Sequence, residues 1–288
     1  MTSTATATST PIKPQKLRKR RSKAWLYVPL VLASIFYLIP MYVMLATGFK
    51  SFDEVSLRTM WDLPSGLSLD NFKAAWEALS PNVWNSIKFV VPASLISAML
   101  GSLNGFVLAK WKFKGANVIF PLILFGMFIP YQAILIPLVE FIRSINLFGG
   151  VWGLMLTHIV YGLPITTLTF RNYYAALPDD LVEASKIDGA GLLGTYRHIL
   201  LPLSIPAFVV VLIWQFTAAW NDFLFAVVLT SNDGWPVTVA LNNLAGSQII
   251  EWNVQMAASF LAAVPTLIIY IFLGRYFLRG MLAGALKG

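Results

Sequence analysis

The chain has 288 residues, of which 57% are hydrophobic and 12% are charged, and its mean hydropathy is +0.70. Soluble domains contain roughly 25% charged residues, so this composition excludes an ordinary water-soluble fold and indicates that much apolar surface faces lipid. The formal net charge is +8, and the absence of cysteine excludes disulfides, thiolate zinc sites and thiol nucleophiles.

A basic segment comes first, with seven Lys or Arg and no acid in residues 13–23. We interpret residues 1–24 as a cytoplasmic tail that obeys the positive-inside rule, rather than as an arm that binds nucleic acid. The apolar run that follows is longer than the hydrophobic region of a signal peptide and is predicted to be a retained span. Six runs are long enough to cross a bilayer: 25–47, 85–109, 118–139, 151–170, 207–229 and 255–274.

This pattern predicts an all-α, polytopic membrane protein with six transmembrane helices and one transmembrane domain, residues 25–288. Six spans place both termini on the same side, and 16 of the 21 Lys and Arg lie on that side. The bias predicts that the termini and the loop 172–206 are cytoplasmic. On the outer side, the apolar spacing in 69–79 predicts a short helix at the membrane surface, and the segment 231–254 is longer than a turn requires.

The loop 172–206 contains an acidic stretch, LPDDLVEASKIDGAG, at residues 177–191. Pro178 suits the first position of a helix, the acids that follow complement the helix dipole, and Gly189 permits a sharp stop. A second helical segment begins near Leu192. An amphipathic helix resting on the anionic inner leaflet should be basic, whereas residues 178–198 have four acids, one Lys and one Arg. The stretch is therefore predicted to dock on a protein partner.

The sequence EASKIDGAGLLGTYRHILLPLSIP from Glu183 onward closely resembles the cytoplasmic signature of bacterial ABC-importer permeases. Ser185 stands where a second Ala is usual, and Tyr196 where Phe is common. The preceding FRNYYAALPDDLVEAS, the WND at 220–222 and the ending GMLAGALKG resemble the carbohydrate-importer branch, the maltose-type inner-membrane subunit. The resemblance extends over most of residues 25–288.

The resemblance implies that the acidic stretch is a coupling helix that fits a cleft on a separate ATPase subunit. It also implies a heterodimer with a second permease, a pair of ATPase subunits that hold ATP and Mg, and an extracytoplasmic sugar-binding protein. No cofactor or metal is expected in this chain, which has no P-loop motif and no HExxH pattern. The residues expected to couple to the ATPase are Glu183, Ala184, Ser185, Lys186, Asp188, Gly189, Ala190, Gly191 and Tyr196.

Polar and aromatic residues that interrupt apolar runs are candidates for a substrate path. An ionisable group at membrane depth, such as Asp222, is by default a functional hypothesis, and an interhelical hydrogen bond that fixes the bundle is an equal alternative. The candidates for this path are Gln132, Trp214, Gln215, Trp220, Asn221 and Asp222. By the resemblance, an outer loop enters the binding protein and its candidates are Asn242, Asn243, Gly246, Ser247 and Gln248.

We therefore expect a multi-pass permease subunit of an ATP-driven, binding-protein-dependent sugar importer in the cytoplasmic membrane of a prokaryote, and not an enzyme. The alternative is an ion-coupled secondary carrier or channel, which should show repeated intramembrane carboxylates or an internal repeat. The sequence leaves open which sugar is transported, and whether this subunit or its sibling contacts that sugar. It also leaves open the identities of the ATPase and the binding protein.

Overall fold

The computed structural model describes residues 24–111, 113–246 and 251–285, and these residues are mostly helical, with no extended β-strand. The chain divides after Tyr42 into two compact units, and the described part of the first is a short 3-10 turn and most of α1. The helices are α1 Tyr27–Gly48, α2 Asp70–Lys110, α3 Ala116–Phe125, α4 Leu135–Ser144, α5 Val151–Ala175, α6 Asp180–Ile187, α7 Leu192–Thr195, α8 Leu201–Leu203, α9 Ile205–Trp220, α10 Leu224–Leu229, α11 Val237–Ala245 and α12 Trp252–Ala285.

Four helices in the described residues are long and apolar enough to cross a membrane, namely α1, α2, α5 and the first part of α12. Two bent pairs reach the same standard together, so the number of candidate spans rises to six if each pair is one span. One pair is bent by 90° between Phe128 and Tyr131, where Pro130 lacks the amide that a continuous helix needs. The other is bent by 77° at Ser204.

The second helix is longer than the sequence suggested. The apolar run 85–109 and the surface helix expected at 69–79 form one continuous helix, α2, of 41 residues. The apolar face of its first part is directed into the protein: Ala75 is completely buried and Leu79 is 1% exposed. Residues 70–79 are therefore the first turns of α2 and pack against the bundle through Ala75 and Leu79, while Trp76 on the same segment is 46% exposed.

Helices α2 and α5 are in very close contact along a line of small residues. A Cβ atom on Gly101 would lie 2.2 Å from Thr166 Oγ1, and one on Gly105 would lie 2.6 Å from Arg171 N. Thr166 Oγ1 also donates across this contact to Ser97 O at 3.2 Å. Small residues at such positions allow membrane helices to approach closely. We call this contact the α2–α5 seam.

Two apolar clusters lie at opposite ends of α2. One contains Leu79, Phe89 and Val90 of α2, together with residues of α5, α9, α10, α11 and α12. The other contains Phe106 near the end of α2, Phe170 and Tyr174 of α5, and residues of the segment after α5. The chain thus builds the acidic stretch against one end of the bundle and the segment around α11 against the other end.

Candidate functional site

The acidic stretch and its continuation fold as helix, turn and helix, and we call residues 177–200 the elbow segment. Helix α6 begins at Asp180, two residues after the Pro178 that the sequence placed at its first position, and the Asp179 carbonyl accepts the first helical bond, from Val182 N. Gly189 has φ +82° and ends the helix. The bonds from Ala190 N to Ser185 O and from Gly189 N to Lys186 O form a Schellman motif, which explains the glycine at this position.

The outer side of the elbow segment is acidic and locally apolar. Glu183 and Asp188 are exposed, as are Ala184, Gly189 and Gly191. Two large apolar side chains lie on the same side: Ile187 is 86% exposed and Leu193 is 67% exposed. A surface with carboxylates around two exposed aliphatic side chains suits a protein partner better than an anionic lipid surface.

Two of the residues expected to couple to an ATPase face the interior of the chain. Ser185 is 2% exposed, and its hydroxyl donates to Val182 O and lies 2.8 Å from Thr195 Oγ1. It thereby joins α6 to α7 across the turn. Tyr196 is 6% exposed, so any role of this residue in coupling has to act through its contacts within this chain.

Tyr196 connects the elbow segment to the long helices. Its hydroxyl donates to Ser102 Oγ of α2 at 2.9 Å, and Ser102 Oγ lies 2.6 Å from Tyr174 OH of α5. Tyr174 OH in turn donates to Ser204 Oγ at 3.0 Å, at the bend before α9. The Tyr196 ring also stacks on Phe106 of α2, with centroids 5.8 Å apart. One buried hydroxyl chain therefore joins the elbow segment to α2, α5 and the start of α9.

Lys110, the last residue of α2, holds the beginning of the elbow segment. Its ammonium group lies 2.5 Å from Asp179 Oδ1 and donates to Leu177 O at 2.6 Å, and its side chain is only 4% exposed. Beside it, Lys186 Nζ is 4.7 Å from the centre of the Trp111 ring, within the range of a cation–π contact. Lys110, Trp111 and Lys186 line a cavity of about 350 Å³ next to α6.

At the other end of α9, the predicted span 207–229 is interrupted. Helix α9 ends at Trp220 and α10 begins at Leu224. Asp222 in the interruption accepts hydrogen bonds from Phe225 N at 3.4 Å and Ala226 N at 3.0 Å. A carboxylate there satisfies amides at the start of α10 that have no acceptor within the helix.

Asp222 also contacts α5. Its Oδ2 lies 3.4 Å from His158 Nε2, and both side chains are largely buried. The His158 carbonyl accepts a hydrogen bond from Gln215 Nε2 at 3.0 Å, and Trp220 Nε1 donates to Ala262 O of α12 at 3.0 Å. Gln215 and Trp220 thereby bond α9 to α5 and to α12, whereas His158 Nε2 and Gln215 Oε1 make no hydrogen bond within the described residues. Asp222 thus makes hydrogen bonds at the start of α10 and one charged contact with α5.

The candidates for a substrate path fall into two groups. Gln215 and Trp220 are buried and Asp222 is partly buried, and all three bond to other parts of the chain. Trp214 is 49% exposed, and Gln132 and Asn221 are also exposed. The exposed group lies on three different elements: the 3-10 turn Tyr131–Ile134, α9 and the interruption after it.

The segment expected to reach a binding protein contains the helix α11. Its buried side is fixed to α2, because Val237 N donates to Ser86 Oγ at 2.9 Å and Asn82 Nδ2 donates to Trp235 O at 2.8 Å. Asn242, Asn243 and Gly246 are exposed at its end. Ser247 and Gln248 lie outside the described residues, as does almost all of the predicted tail 1–24.

Sequence reasoning did not find Lys110, Ser102 or Tyr174 as parts of the site. Lys110 is separated from Asp179 by 69 residues, so no local pattern indicates their pairing. Tyr174 and Ser102 lie in apolar helices, where such residues are common at contacts between helices. In the described residues no cluster of His, Cys, Asp and Glu is arranged to hold a metal ion.

Comparisons with known proteins agree with this architecture. Residues 101–282 match the family described as "Binding-protein-dependent transport system inner membrane component". A probable ABC transporter permease protein of Pyrococcus horikoshii is 45% identical to this chain, over 91% of this chain and 96% of that protein. The xylose/arabinose import permease protein XacI of Haloferax volcanii is 38% identical, over 85% of this chain and 87% of that protein.

A solved structure has the same fold. It is the crystal structure of a bacterial ABC transporter involved in the import of the acidic polysaccharide alginate. One of its chains matches with a TM-score of 0.74 at 22% identity, covering 93% of this chain and 100% of that one.

Proposed function

This chain belongs to the family of binding-protein-dependent transport system inner membrane components, and we propose that it is the permease subunit of an ATP-driven sugar importer that moves when its elbow segment is pushed by an ATPase. In this proposal it forms the translocation path with a second, different permease. The family is one of transport permeases, and the ATP and Mg are held by the separate ATPase subunits rather than by this chain.

The observation that supports this proposal best is the two-sided construction of the elbow segment. Its outer side exposes Glu183, Ile187 and Leu193 to a partner, while its inner side is fixed to the bundle by Lys110 and Tyr196. A force applied to the outer side is therefore transmitted to α2 and α5 rather than absorbed by a loose loop. This is the construction that a coupling helix requires.

The orientation follows from the charge bias of the sequence. With the termini and the elbow segment in the cytoplasm, α11 lies on the extracytoplasmic side, because it is attached to α2 at Ser86 and the elbow segment at Lys110. Helix α2 spans about 36 Å between these two residues at 1.5 Å per residue. Exposed Asn242 and Asn243 would then face an extracytoplasmic binding protein, together with Ser247 and Gln248 beyond them.

A sugar substrate is supported by the relative named for xylose and arabinose import. Exposed Trp214, Asn221 and Gln132 offer an aromatic face and amide groups, which suit the C–H faces and hydroxyls of a sugar. Buried Gln215 and Trp220 and partly buried Asp222 are proposed to position this path from behind rather than to contact the sugar. Pentoses are the first substrates to test.

The test is reconstitution of the complete transporter in proteoliposomes with its binding protein outside and ATP inside. We expect uptake of labelled xylose or arabinose only when ATP and the binding protein are both present. If only glucose or a disaccharide is taken up, the assignment as an ATP-driven importer stands and the assignment of a pentose substrate is wrong. Uptake that persists without ATP and follows an ion gradient would overturn the proposal in favour of a secondary carrier.

A further inference from the structure

A second cavity lies at the end of the bundle that is remote from the elbow segment. It has a volume of about 390 Å³, within the range of roughly 300–1,000 Å³ typical of ligand sites. Its walls are mostly apolar and include Val43 and Leu57, Met60, Trp252 and Met256. Its polar lining comes from Thr47, Lys50 and Ser56. A site with these walls and a cation suits an amphiphile with a negative charge.

Lys50 is unusual for a lysine at the end of a membrane helix. It comes two residues after the last residue of α1, where lysine side chains ordinarily extend into water. Here the residue is only 2% exposed. Its ammonium group donates to Thr59 O at 2.6 Å, but an ammonium group has three protons to donate.

No carboxylate lies within ion-pair distance of Lys50 in the described part of the chain, and Glu54 attracts its charge only from a longer distance. Glu54 is the nearby acid, and its two oxygens accept hydrogen bonds from Ser65 Oγ and Ser51 N instead. A buried cation without a carboxylate in direct contact is costly. Lys50 is one of the residues that line the cavity, so an anion held in the cavity would be close to this positive charge.

The backbone around Lys50 is held firmly. Asn71 Nδ2 of α2 donates to Lys50 O at 2.8 Å and to Gly48 O at 2.9 Å, and Asn253 Nδ2 of α12 donates to Asn71 Oδ1 at 3.0 Å. Thr59, which accepts from Lys50, is fixed by its own hydroxyl bond to Glu54 O at 2.7 Å. The ammonium group is thus placed by α1, α2 and α12 together.

The surroundings of the cavity resemble a membrane interface. Trp252 is the first residue of α12 and is 48% exposed, and tryptophan is enriched at the level of lipid headgroups. The adjoining segment exposes further apolar side chains, with Leu57 at 89%, Leu63 at 75% and Leu67 at 82%. These side chains can enter the acyl region beside a bound headgroup.

We propose that this cavity is a binding site for the phosphate of an anionic phospholipid, with Lys50 as the counter-ion and the apolar walls in contact with the glycerol backbone and the first part of an acyl chain. The lipid neutralises the buried ammonium group and joins the end of α1 to the start of α12 at the bundle end that faces away from the ATPase. The site is distinct from the substrate-path candidates and does not depend on the sugar.

The test measures lipid retention by the delipidated, detergent-solubilised transporter with native mass spectrometry, using phosphatidylglycerol and phosphatidylcholine of equal chain length. We expect phosphatidylglycerol to bind about tenfold more tightly, which corresponds to about 1.4 kcal/mol. Lys50→Met should remove this preference and Lys50→Arg should retain it. Lys73→Met, which changes an exposed lysine on α2 at the same end, should have no effect.

Equal binding of the two lipids by the unaltered protein would overturn the proposal, as would an unchanged preference in Lys50→Met. If Lys50→Met does not fold, Met256→Trp fills the cavity from its apolar wall without removing the charge. That variant should also lose phosphatidylglycerol, and full retention would contradict the assignment. Glycerol 3-phosphate tests a soluble source of the same phosphate group: competition at equal concentration would show that the ligand is not a lipid.

Discussion

Lys110 Nζ lies 2.5 Å from Asp179 Oδ1, so the last residue of α2 is joined to the residue immediately before α6. The two partners differ greatly in exposure, because the lysine side chain is 4% exposed and the aspartate side chain is 74% exposed. The buried partner also bonds to Leu177 O. The elbow segment is therefore attached to α2 at its beginning by Lys110 and near its end by Tyr196.

Replacing Lys110 with Met should weaken coupling more than stability. Because Asp179 is largely exposed, its carboxylate stays solvated, and we expect a loss of about 1–2 kcal/mol in the free energy of unfolding. Sugar transported per ATP hydrolysed should fall about fivefold or more, since α6 can then move without α2. Both rates are measured in proteoliposomes. Lys114→Met, an exposed lysine nearby, is the control, and an unchanged ratio in Lys110→Met would refute the role of this contact.

Glu183 on the outer side of α6 is expected to contact the ATPase. Glu183→Ala should reduce sugar uptake about tenfold, which corresponds to about 1.4 kcal/mol, and leave ATP hydrolysis largely intact. Its exposed position implies a change in stability within about 0.5 kcal/mol. Glu77→Ala changes an exposed carboxylate at the other end of the bundle and should have no effect on uptake. Normal uptake by Glu183→Ala would count against a coupling role.

The α2–α5 seam should be intolerant of even one additional carbon. A Cβ atom on Gly105 would lie 2.6 Å from Arg171 N and 2.9 Å from Phe170 C, and these backbone atoms cannot turn aside. We expect Gly105→Ala to cost about 1–3 kcal/mol and to lower the unfolding temperature. Gly274→Ala provides the matched comparison, because nothing lies within 4 Å of a Cβ atom there. Equal unfolding temperatures for the two variants would show that the seam can open.

The pairing of His158 with Asp222 can be measured with a double-mutant cycle. The single variants His158→Ala and Asp222→Asn should each reduce stability, and the coupling energy between them should be about 0.5–3 kcal/mol if the contact at 3.4 Å is stabilising. Uptake of different sugars should fall in parallel, since a residue that positions helices does not discriminate between substrates. A change in sugar preference would instead place Asp222 in contact with the substrate.

The stability of the segment after α1 should depend on pH in the acid range because of Glu54. The hydrogen bond from Ser65, helped by the bond from Ser51 N, holds the pKa of this carboxyl below its ordinary value of 4.5. Because the pKa of Glu54 is lowered on folding, its charge stabilises the folded segment fully at pH values above the ordinary pKa. This stabilisation is lost as the pH falls through the lower pKa of the folded state. Cleavage of residues 51–65 by pepsin should accordingly increase as the pH is lowered from the ordinary pKa of Glu54 to below its pKa in the folded state.

The variant Glu54→Gln isolates this effect from the pH dependence of the protease. In this variant, residues 51–65 should be cleaved to a similar extent at each pH tested, because the amide has no charge to lose. Glu77→Gln, altered on an exposed part of α2, should behave like the unaltered protein. Identical cleavage profiles for Glu54→Gln and the unaltered protein would contradict the prediction.

Hydropathy alone located most of the long helices. The runs 25–47, 151–170 and 255–274 correspond to α1, α5 and α12, because these lengths must match the thickness of a bilayer. Hydropathy did not give the length of α2, since its first part is buried by protein and has the amphipathic pattern of a separate surface helix. The break after Trp220 was visible only as the polar residues 221 and 222.

The elbow segment was predictable in its shape but not in its attachments. Pro178, Asp179 and Gly189 are local signals, and they gave the start and the end of α6 within two residues. The inward direction of Ser185 and Tyr196 depends on Thr195 and Ser102, and the second of these lies 94 residues away from Tyr196. Contacts at that separation have no trace in a single sequence.

The glycine contacts between α2 and α5 have a mechanical meaning for the transport cycle. With Thr166 and the Phe170 backbone seated where side chains would otherwise stand, neither helix can slip past the other by a turn without a steric collision. The two helices should therefore move together as one rigid unit. Conformational changes would then occur mainly at the bends in the other helices, at Pro130 and at Ser204. Alternating access would then come from rotation of the α2–α5 pair as a whole and not from a change of shape within the pair.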